Sequence, residues 1–199
     1  MKRIVGLVLI VFLAGCSSSA SVKISTVFPS VVSESKPINA SILIEDSFAT
    51  YVGAPNKNTK IDIGAGQINL LKSAFSGLFE TVDFITSLDQ ISPETDLIIT
   101  PSVLEVQVST PSENYLNVFE VWIKYNLEIK AADGTPITNW FVPAYGKTPD
   151  SFMASKENAI EQATVIALRD AGAKLMLDFY RIPAINDWLS RQNIKQESR

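Results

Sequence analysis

The side chains that most often carry chemistry in proteins are scarce in this chain. Its 199 residues include no histidine and one cysteine, which excludes hydrolytic triads, cysteine–histidine catalysis, histidine metal sites and any disulfide within the chain. Its 17 basic and 21 acidic residues give a net charge of -4, the wrong sign for neutralising nucleic-acid phosphates. We therefore expect neither an enzyme nor a partner of nucleic acid.

Carboxylates are the chemically active groups that remain. Asp89, Glu94 and Asp96 lie close in sequence, but they surround a turn and lack the spacing of a calcium-binding loop. Gly64 and Gly66 precede a helix and could bring backbone amides towards an anion, yet the rest of a phosphate-binding fingerprint is absent. These segments therefore predict a solvated turn and a flexible loop, with no catalytic residue, no metal site and no cofactor.

The most specific motif surrounds the lone cysteine. Lys2 and Arg3 precede an apolar run over residues 4–13, which is typical of a secretory signal and too short for a stable membrane span. The sequence Leu13-Ala14-Gly15-Cys16 then matches the bacterial lipobox, in which the thiol receives a diacylglyceryl group. We predict that residues 1–15 are a signal peptide and that Cys16 is the first mature residue, lipidated with diacylglycerol and a further acyl chain such as palmitate.

Processing would leave an acidic, membrane-tethered protein. Loss of two basic residues changes the balance to 15 basic against 21 acidic residues. Buried acyl chains contribute about 0.8 kcal/mol per methylene, so the anchor is effectively permanent. Residues 16–37 predict the lipidated cysteine, a serine-rich tether and an extended arm that lies on the domain or feeds into it. By similarity to enteric lipoproteins, Ser17 after the cysteine implies the outer membrane, with the inner membrane as the alternative.

The rest of the chain predicts one domain over residues 38–190 and a polar tail over residues 191–199. Pro101 falls inside an apolar strand and implies an edge position or a bulge. Before the clearest strand, the predicted elements are a strand at 38–45, a loop at 46–66, a helix at 67–82, and strands at 83–88 and 96–110.

The clearest strand covers residues 118–130, where apolar and polar residues alternate strictly. Asp133-Gly134 marks a hairpin before a returning strand at 137–144. Ser155 is a good N-cap for a long helix that ends near Arg181. The predicted fold class is α+β, a single antiparallel sheet of about four to five strands with two helices packed on one face.

One aromatic residue lies on the polar side of the clearest strand. Trp122 projects between Glu120 and Lys124, and we place Tyr115 and Trp140 near it as a possible partner surface. The alternative is that the N-terminal arm or the second helix covers this face and buries the indole. Both readings stay open at the level of sequence.

The order of elements resembles that of the LptE-like lipoproteins, which assemble lipopolysaccharide at the outer membrane. That resemblance implies an accessory protein of an outer-membrane β-barrel, although the acidic balance departs from what an anionic glycolipid binder should show. Similar topologies occur in auxiliary lipoproteins of ABC-type transport systems and of secretion or motility machines. The matching pieces are Leu13-Ala14-Gly15-Cys16, the helix 67–82 leading to Asp83-Phe84-Ile85, Asp96-Leu97-Ile98-Ile99, the strand 121–130 ending at Asp133-Gly134, and the alanine-rich final helix.

The sequence as a whole predicts a non-catalytic, lipid-anchored accessory or assembly subunit of an envelope complex. We expect it on the periplasmic face of the outer membrane, with an envelope protein as its partner and no small-molecule ligand. The alternative is a periplasmic carrier of lipid or another hydrophobic ligand, whose pocket between sheet and helices would be lined by Phe75, Phe79 and Tyr125.

Overall fold

The computed structural model describes residues 19–24, 35–152 and 155–197, and within them the chain forms two β-sheets and five helices. A larger sheet has five strands in the order β5-β2-β6-β7-β8, and a smaller one has three strands in the order β1-β4-β3. The strands are β1 Ala20–Lys23, β2 Lys36–Leu43, β3 Val52–Asn56, β4 Thr59–Asp62, β5 Phe79–Ile85, β6 Leu97–Ser109, β7 Val118–Ala131 and β8 Pro136–Pro149.

Three helices are long enough to build the core and two are single turns. The helices are α1 Asp46–Ala49, α2 Gly64–Ser76, α3 Pro111–Asn114, α4 Lys156–Asp178 and α5 Pro183–Glu197. Within these residues, no helix combines the length and apolar character needed to cross a bilayer.

The expectation of a single antiparallel sheet with two helices is wrong. Strand β2 pairs in parallel with both β5 and β6, whereas β6, β7 and β8 are antiparallel, so the larger sheet is mixed. A parallel pair needs a crossover connection that carries the chain back to the starting edge. Helix α2 lies on that return path from β2 to β5. The sequence predicts this helix, but it does not predict the parallel pairing that the helix makes possible.

The predicted helix at 67–82 is too long and starts too late. It begins at Gly64, and Gly77 follows its last residue. Phe79 and Val82, which fit the helical spacing, belong instead to β5. A short apolar run fits both a helix and a strand, so spacing alone could not separate them.

Residues 46–66, expected to be a loop, contain α1, β3, β4 and the start of α2. Strands β3 and β4 form an antiparallel hairpin, and β1 joins β4 in parallel to complete the smaller sheet. Strand β1 lies in the segment 16–37, which was expected to hold the tether and the arm, and its residues pair within the smaller sheet. Residues 25–34 of the arm, like the signal peptide and Cys16, lie outside the described residues.

The clearest strand and its hairpin are confirmed. In β7 every second residue from Phe119 to Ile129 is buried and the residues between them are partly exposed. The turn to β8 contains Gly134 with φ 82°. Pro101 lies just beyond the three residues of β6 that pair with β2, so its missing N–H costs no ladder bond on that side.

The long C-terminal helix begins as expected, with the Ser155 hydroxyl accepting a 3.2 Å hydrogen bond from the Asn158 N–H. It ends at Asp178, and Pro183 begins α5, a helix that was not predicted from the sequence. Helix α5 reaches Glu197 and is fixed to the core through Ile185 and Trp188, both buried.

Helices α2 and α4 cover one face of the larger sheet and enclose a continuous apolar core. Helix α4 also secures the free edge of β8. The Asp170 carboxylate accepts a 2.9 Å hydrogen bond from the Tyr145 N–H, and Lys174 donates a 2.6 Å bond to the Pro143 carbonyl. The two charged groups pair with each other at 2.7 Å.

Candidate functional site

The candidate site is the open face of the sheet, by which we mean the side of β6, β7 and β8 that faces away from α2 and α4. Pairing between strands places Trp122 of β7 at its centre, with Gln107 of β6 on one side and Tyr145 of β8 on the other. The indole is partly exposed and its ring centre lies 5.1 Å from that of Tyr145 at a tilt of 42°. Two amphipathic rings therefore meet on a surface that the two core helices leave uncovered.

A chain of hydrogen bonds fixes this aromatic pair. The Tyr145 hydroxyl donates to Glu120 Oε1 at 2.6 Å, and Asn114 Nδ2 donates to Glu120 Oε2 at 3.0 Å. Asn114 Nδ2 also lies 2.9 Å from the Val118 carbonyl, which ties α3 to the start of β7. The phenol ring of Tyr145 is thus held in place beside the indole, which reduces the side-chain entropy that would be lost on binding.

This environment favours the neutral form of Tyr145. Desolvation, the hydrogen bond to Glu120 and the negative charge of that carboxylate together raise the pKa of Tyr145 to about 12. Stability that depends on the neutral phenol is fully present below about pH 10, the ordinary tyrosine pKa, and is lost as the pH rises through about 12.

We predict that Tyr145→Phe removes one phenol that titrates near pH 12 from the ultraviolet absorbance titration of the protein. Glu120→Gln should shift that titration towards the ordinary tyrosine value, because it removes the negative charge and keeps a hydrogen-bond acceptor. An unchanged titration curve for Glu120→Gln would show that Glu120 does not hold the Tyr145 hydroxyl.

Exposed apolar groups and internally paired charges lie on the same three strands as the aromatic pair. Leu104 of β6 is 59% exposed and Phe141 of β8 is 49% exposed, both large apolar side chains at the surface. Lys124 forms an ion pair with Glu105, and the hydrogen bond from Lys124 lowers the pKa of Glu105. Lys130 pairs with Glu128 at 2.9 Å along the same strand. Charges that pair within the face leave its centre suited to an apolar partner surface.

Of the three aromatic residues predicted to lie together, Trp140 lies on the other face of the sheet from Trp122. Tyr115 is 88% exposed in the left-handed position that ends α3, in the segment leading to β7. Trp140 pairs with Leu127 on the helix-covered face, and its ring centre lies 6.0 Å from that of Phe179. Trp140 therefore does not belong to the open face. Tyr145, which sequence reasoning missed, occupies the place beside Trp122.

Two described elements that could have covered Trp122 lie elsewhere. Helix α4 packs on the opposite face of β7 and β8, and β1 lies in the smaller sheet. Neither of these described elements covers the indole. The arm between β1 and β2 consists of residues 25–34, which lie outside the described part.

The carboxylates near residue 90 have structural partners. Asp96 Oδ2 accepts a 3.0 Å hydrogen bond from the Asn39 N–H, and Ser87 donates to Asp89, which lowers the pKa of that carboxyl. Gly64 begins α2, where an added Cβ would lie 2.1 Å from the Ala49 carbonyl oxygen. Close packing against α1 thus accounts for this glycine.

A small cavity lies between the sheet and helices α2 and α4. Its volume is about 10 Å³, and Tyr125, Gln67 and Leu70 are among its lining residues. Such a space holds about one water molecule, whereas pockets for small ligands measure roughly 300–1,000 Å³. Phe75 and Phe79, the other residues expected to line a carrier pocket, are fully buried in the core.

Comparisons with known proteins show a fold and no family. No family model and no curated protein matches this chain. The chain is similar to the structure of a candidate neuraminyllactose-binding hemagglutinin homologue from Helicobacter pylori, at 11% identity and a TM-score of 0.53 over 87% of this chain and 100% of that one. This likeness shows a shared fold.

Two further similar structures are lipoproteins by name. A minor lipoprotein from Acinetobacter baumannii shares 13% identity with a TM-score of 0.45, over 73% of this chain and 92% of that chain. A candidate lipoprotein from Caulobacter crescentus CB15 shares 15% identity with a TM-score of 0.42, over 77% of this chain and 91% of that chain. The finer resemblance to the LptE-like type stays a prediction.

Proposed function

We propose that this chain is a bacterial lipoprotein, anchored through Cys16, that acts as a non-catalytic accessory or assembly subunit of an envelope complex on the periplasmic face of the outer membrane. The lipobox Leu13-Ala14-Gly15-Cys16 supports the anchor. The observation that carries the accessory role is the open face, where a fixed aromatic pair and exposed apolar side chains lie on a sheet whose other face is packed. Aromatic residues of this kind dominate the energetics of protein interfaces.

The partner surface that fits is apolar at its centre and polar at its rim. Lys124 and Glu105 satisfy each other, so the centre of the open face does not select a strongly charged partner. The lipid anchor would confine the subunit to the membrane that contains its partner. The resulting high effective concentration makes a modest intrinsic affinity sufficient for the complex to form. An integral envelope protein with a periplasmic apolar patch meets these requirements.

The test is site-specific photocrosslinking in intact cells. Photoreactive residues at Leu104 and Phe141 should capture the same envelope protein, while one at Leu177, an exposed leucine of α4 with 63% exposure, should not. The captured protein is then purified and its complex with the mature lipoprotein is reconstituted. Trp122→Ala should weaken this complex by about tenfold or more, the loss expected of a central aromatic residue.

Two results would contradict the accessory role. One is capture of the same protein from Leu104, Phe141 and Leu177 alike, which would indicate random collision. The other is a reconstituted complex whose affinity Trp122→Ala leaves unchanged while circular dichroism shows an intact fold. Absence of an acyl chain on Cys16 in the mass spectrum of the mature protein would contradict the anchor.

A further inference from the structure

The first strand begins very close to the lipidation site. The Ala20 N–H donates a 2.7 Å hydrogen bond to the Asn58 carbonyl, and β1 continues in register with β4 to Lys23. Ala20 is 2% exposed and Val22 is 4% exposed, so the chain is already part of the folded domain there. Four residue steps separate Cys16 from Ala20.

This spacing limits how far the domain can lie from the bilayer. A fully extended chain spans at most about 3.3–3.6 Å per residue, so four steps cover about 14 Å. With Cys16 acylated, as in the proposed function on which this inference rests, the start of β1 stays within that distance of the lipid headgroups. The end of the smaller sheet where β1 begins must therefore face the membrane.

Positive charge is concentrated at that end of the sheet. Lys57 lies in the exposed turn between β3 and β4, next to the residue that Ala20 contacts. Lys60 lies opposite Ser21 on the exposed side, whereas Lys23 lies at the other end of β1, opposite Asp62. No described ion pair involves these three lysines. Asp62, the carboxylate in this hairpin, accepts a 3.2 Å hydrogen bond from the Gly64 N–H.

We propose that Lys57 and Lys60 dock this end of the smaller sheet onto anionic phospholipid headgroups and so fix the orientation of the anchored domain. A lysine near an anionic leaflet favours the docked orientation by about fivefold. The mature chain is acidic as a whole, and repulsion of its other surfaces from the same leaflet reinforces this orientation.

The β7–β8 turn of the larger sheet lies far from the smaller sheet that would dock. Gly53 of β3 packs on Val106 of β6. Leu97 lies nine residues from Val106 along β6, and it pairs with Ala131 beside the β7–β8 turn. At about 3.3 Å per residue, that turn lies about 30 Å along the strand from the contact. Two exposed alanines, Ala54 of β3 and Ala132 of the turn, therefore report on the near and far ends.

The test uses the full mature, acylated protein in vesicles of phosphatidylethanolamine with one quarter phosphatidylglycerol. Because the single native cysteine carries the acyl chain, Ala54→Cys or Ala132→Cys supplies the one free thiol for a fluorophore. A quencher attached to lipid headgroups should quench the label at position 54 strongly and the label at position 132 weakly. The two labelled proteins differ only in the position of the label.

Charge reversal tests the role of the lysines. Lys57→Glu with Lys60→Glu should reduce quenching at position 54, and replacing phosphatidylglycerol by phosphatidylcholine should do the same. Lys147→Glu, an exposed lysine on β8, is the control and should change nothing. Equal quenching at positions 54 and 132 in acylated protein, or quenching that ignores the reversed lysines, would overturn the docking but leave the anchor intact. An unacylated Cys16 would overturn both.

Discussion

Replacing Phe179 by alanine should lower the free energy of unfolding by about 3–5 kcal/mol. Phe179 is fully buried where α4 ends, and its ring centre lies 5.2 Å from Phe79, 5.2 Å from Tyr180 and 6.0 Å from Trp140. The ring therefore joins β5, the C-terminal segment and β8. Its neighbours belong to different elements, so they cannot close the cavity by moving together. Denaturant unfolding followed by circular dichroism measures the effect.

Leu177→Ala is the matched control, because it lies two residues earlier and is 63% exposed. This substitution should change the free energy of unfolding by no more than about 0.5 kcal/mol, as most surface substitutions do. A loss of stability at Leu177 equal to that at Phe179 would mean that α4 turns a different side to the sheet.

Gly146→Ala should cost about 3 kcal/mol, although it adds a single methyl group. A Cβ at this position of β8 would lie 2.0 Å from the Ala163 carbonyl oxygen and 2.5 Å from the Ala167 nitrogen. Both atoms belong to the backbone of α4, so no side chain can rotate out of the way. The helix would have to move off the sheet, and buried apolar contacts would be lost along its length.

Thermal and denaturant unfolding of Gly146→Ala and of its neighbour Lys147→Ala provide the comparison. Lys147 is exposed on the other side of β8, and its truncation should leave the melting temperature nearly unchanged. If Gly146→Ala were as stable as the parent, the close approach of α4 to β8 would be incorrect.

Features that depend on neighbouring residues were predictable from the sequence. The alternation in β7 follows from burial on one face only, and Ser155 caps α4 through a bond to a residue three positions away. Pairings that depend on distant parts of the chain were not predictable. The parallel contacts of β2 join residues 42 to 57 positions apart, beyond the reach of a pattern within one segment.

The candidate site was likewise predictable only where it depends on neighbouring residues. Alternation alone placed Trp122 on the exposed side of β7. Trp140 was misplaced because β8 contains a bulge, in which Lys130 pairs with Pro136 but Ile129 pairs with Thr138, so that Ile137 is left over. Without that extra residue Trp140 would lie opposite Asn126, on the same side as Trp122. A one-residue change of register exchanges the two faces of a strand, and this bulge has no clear signature in the sequence.

The hydrogen bonds from Asp170 and Lys174 to the backbone of β8 affect how copies of this protein would interact if many of them shared one membrane. A free strand edge is a template for pairing with another sheet, and confinement to a plane brings such edges together repeatedly. At Pro143 and Tyr145 the backbone groups that would begin such pairing are already bound to the helix of the same molecule. Where copies are crowded together, as on the membrane surface proposed above, their sheets therefore do not join into ribbons at this point.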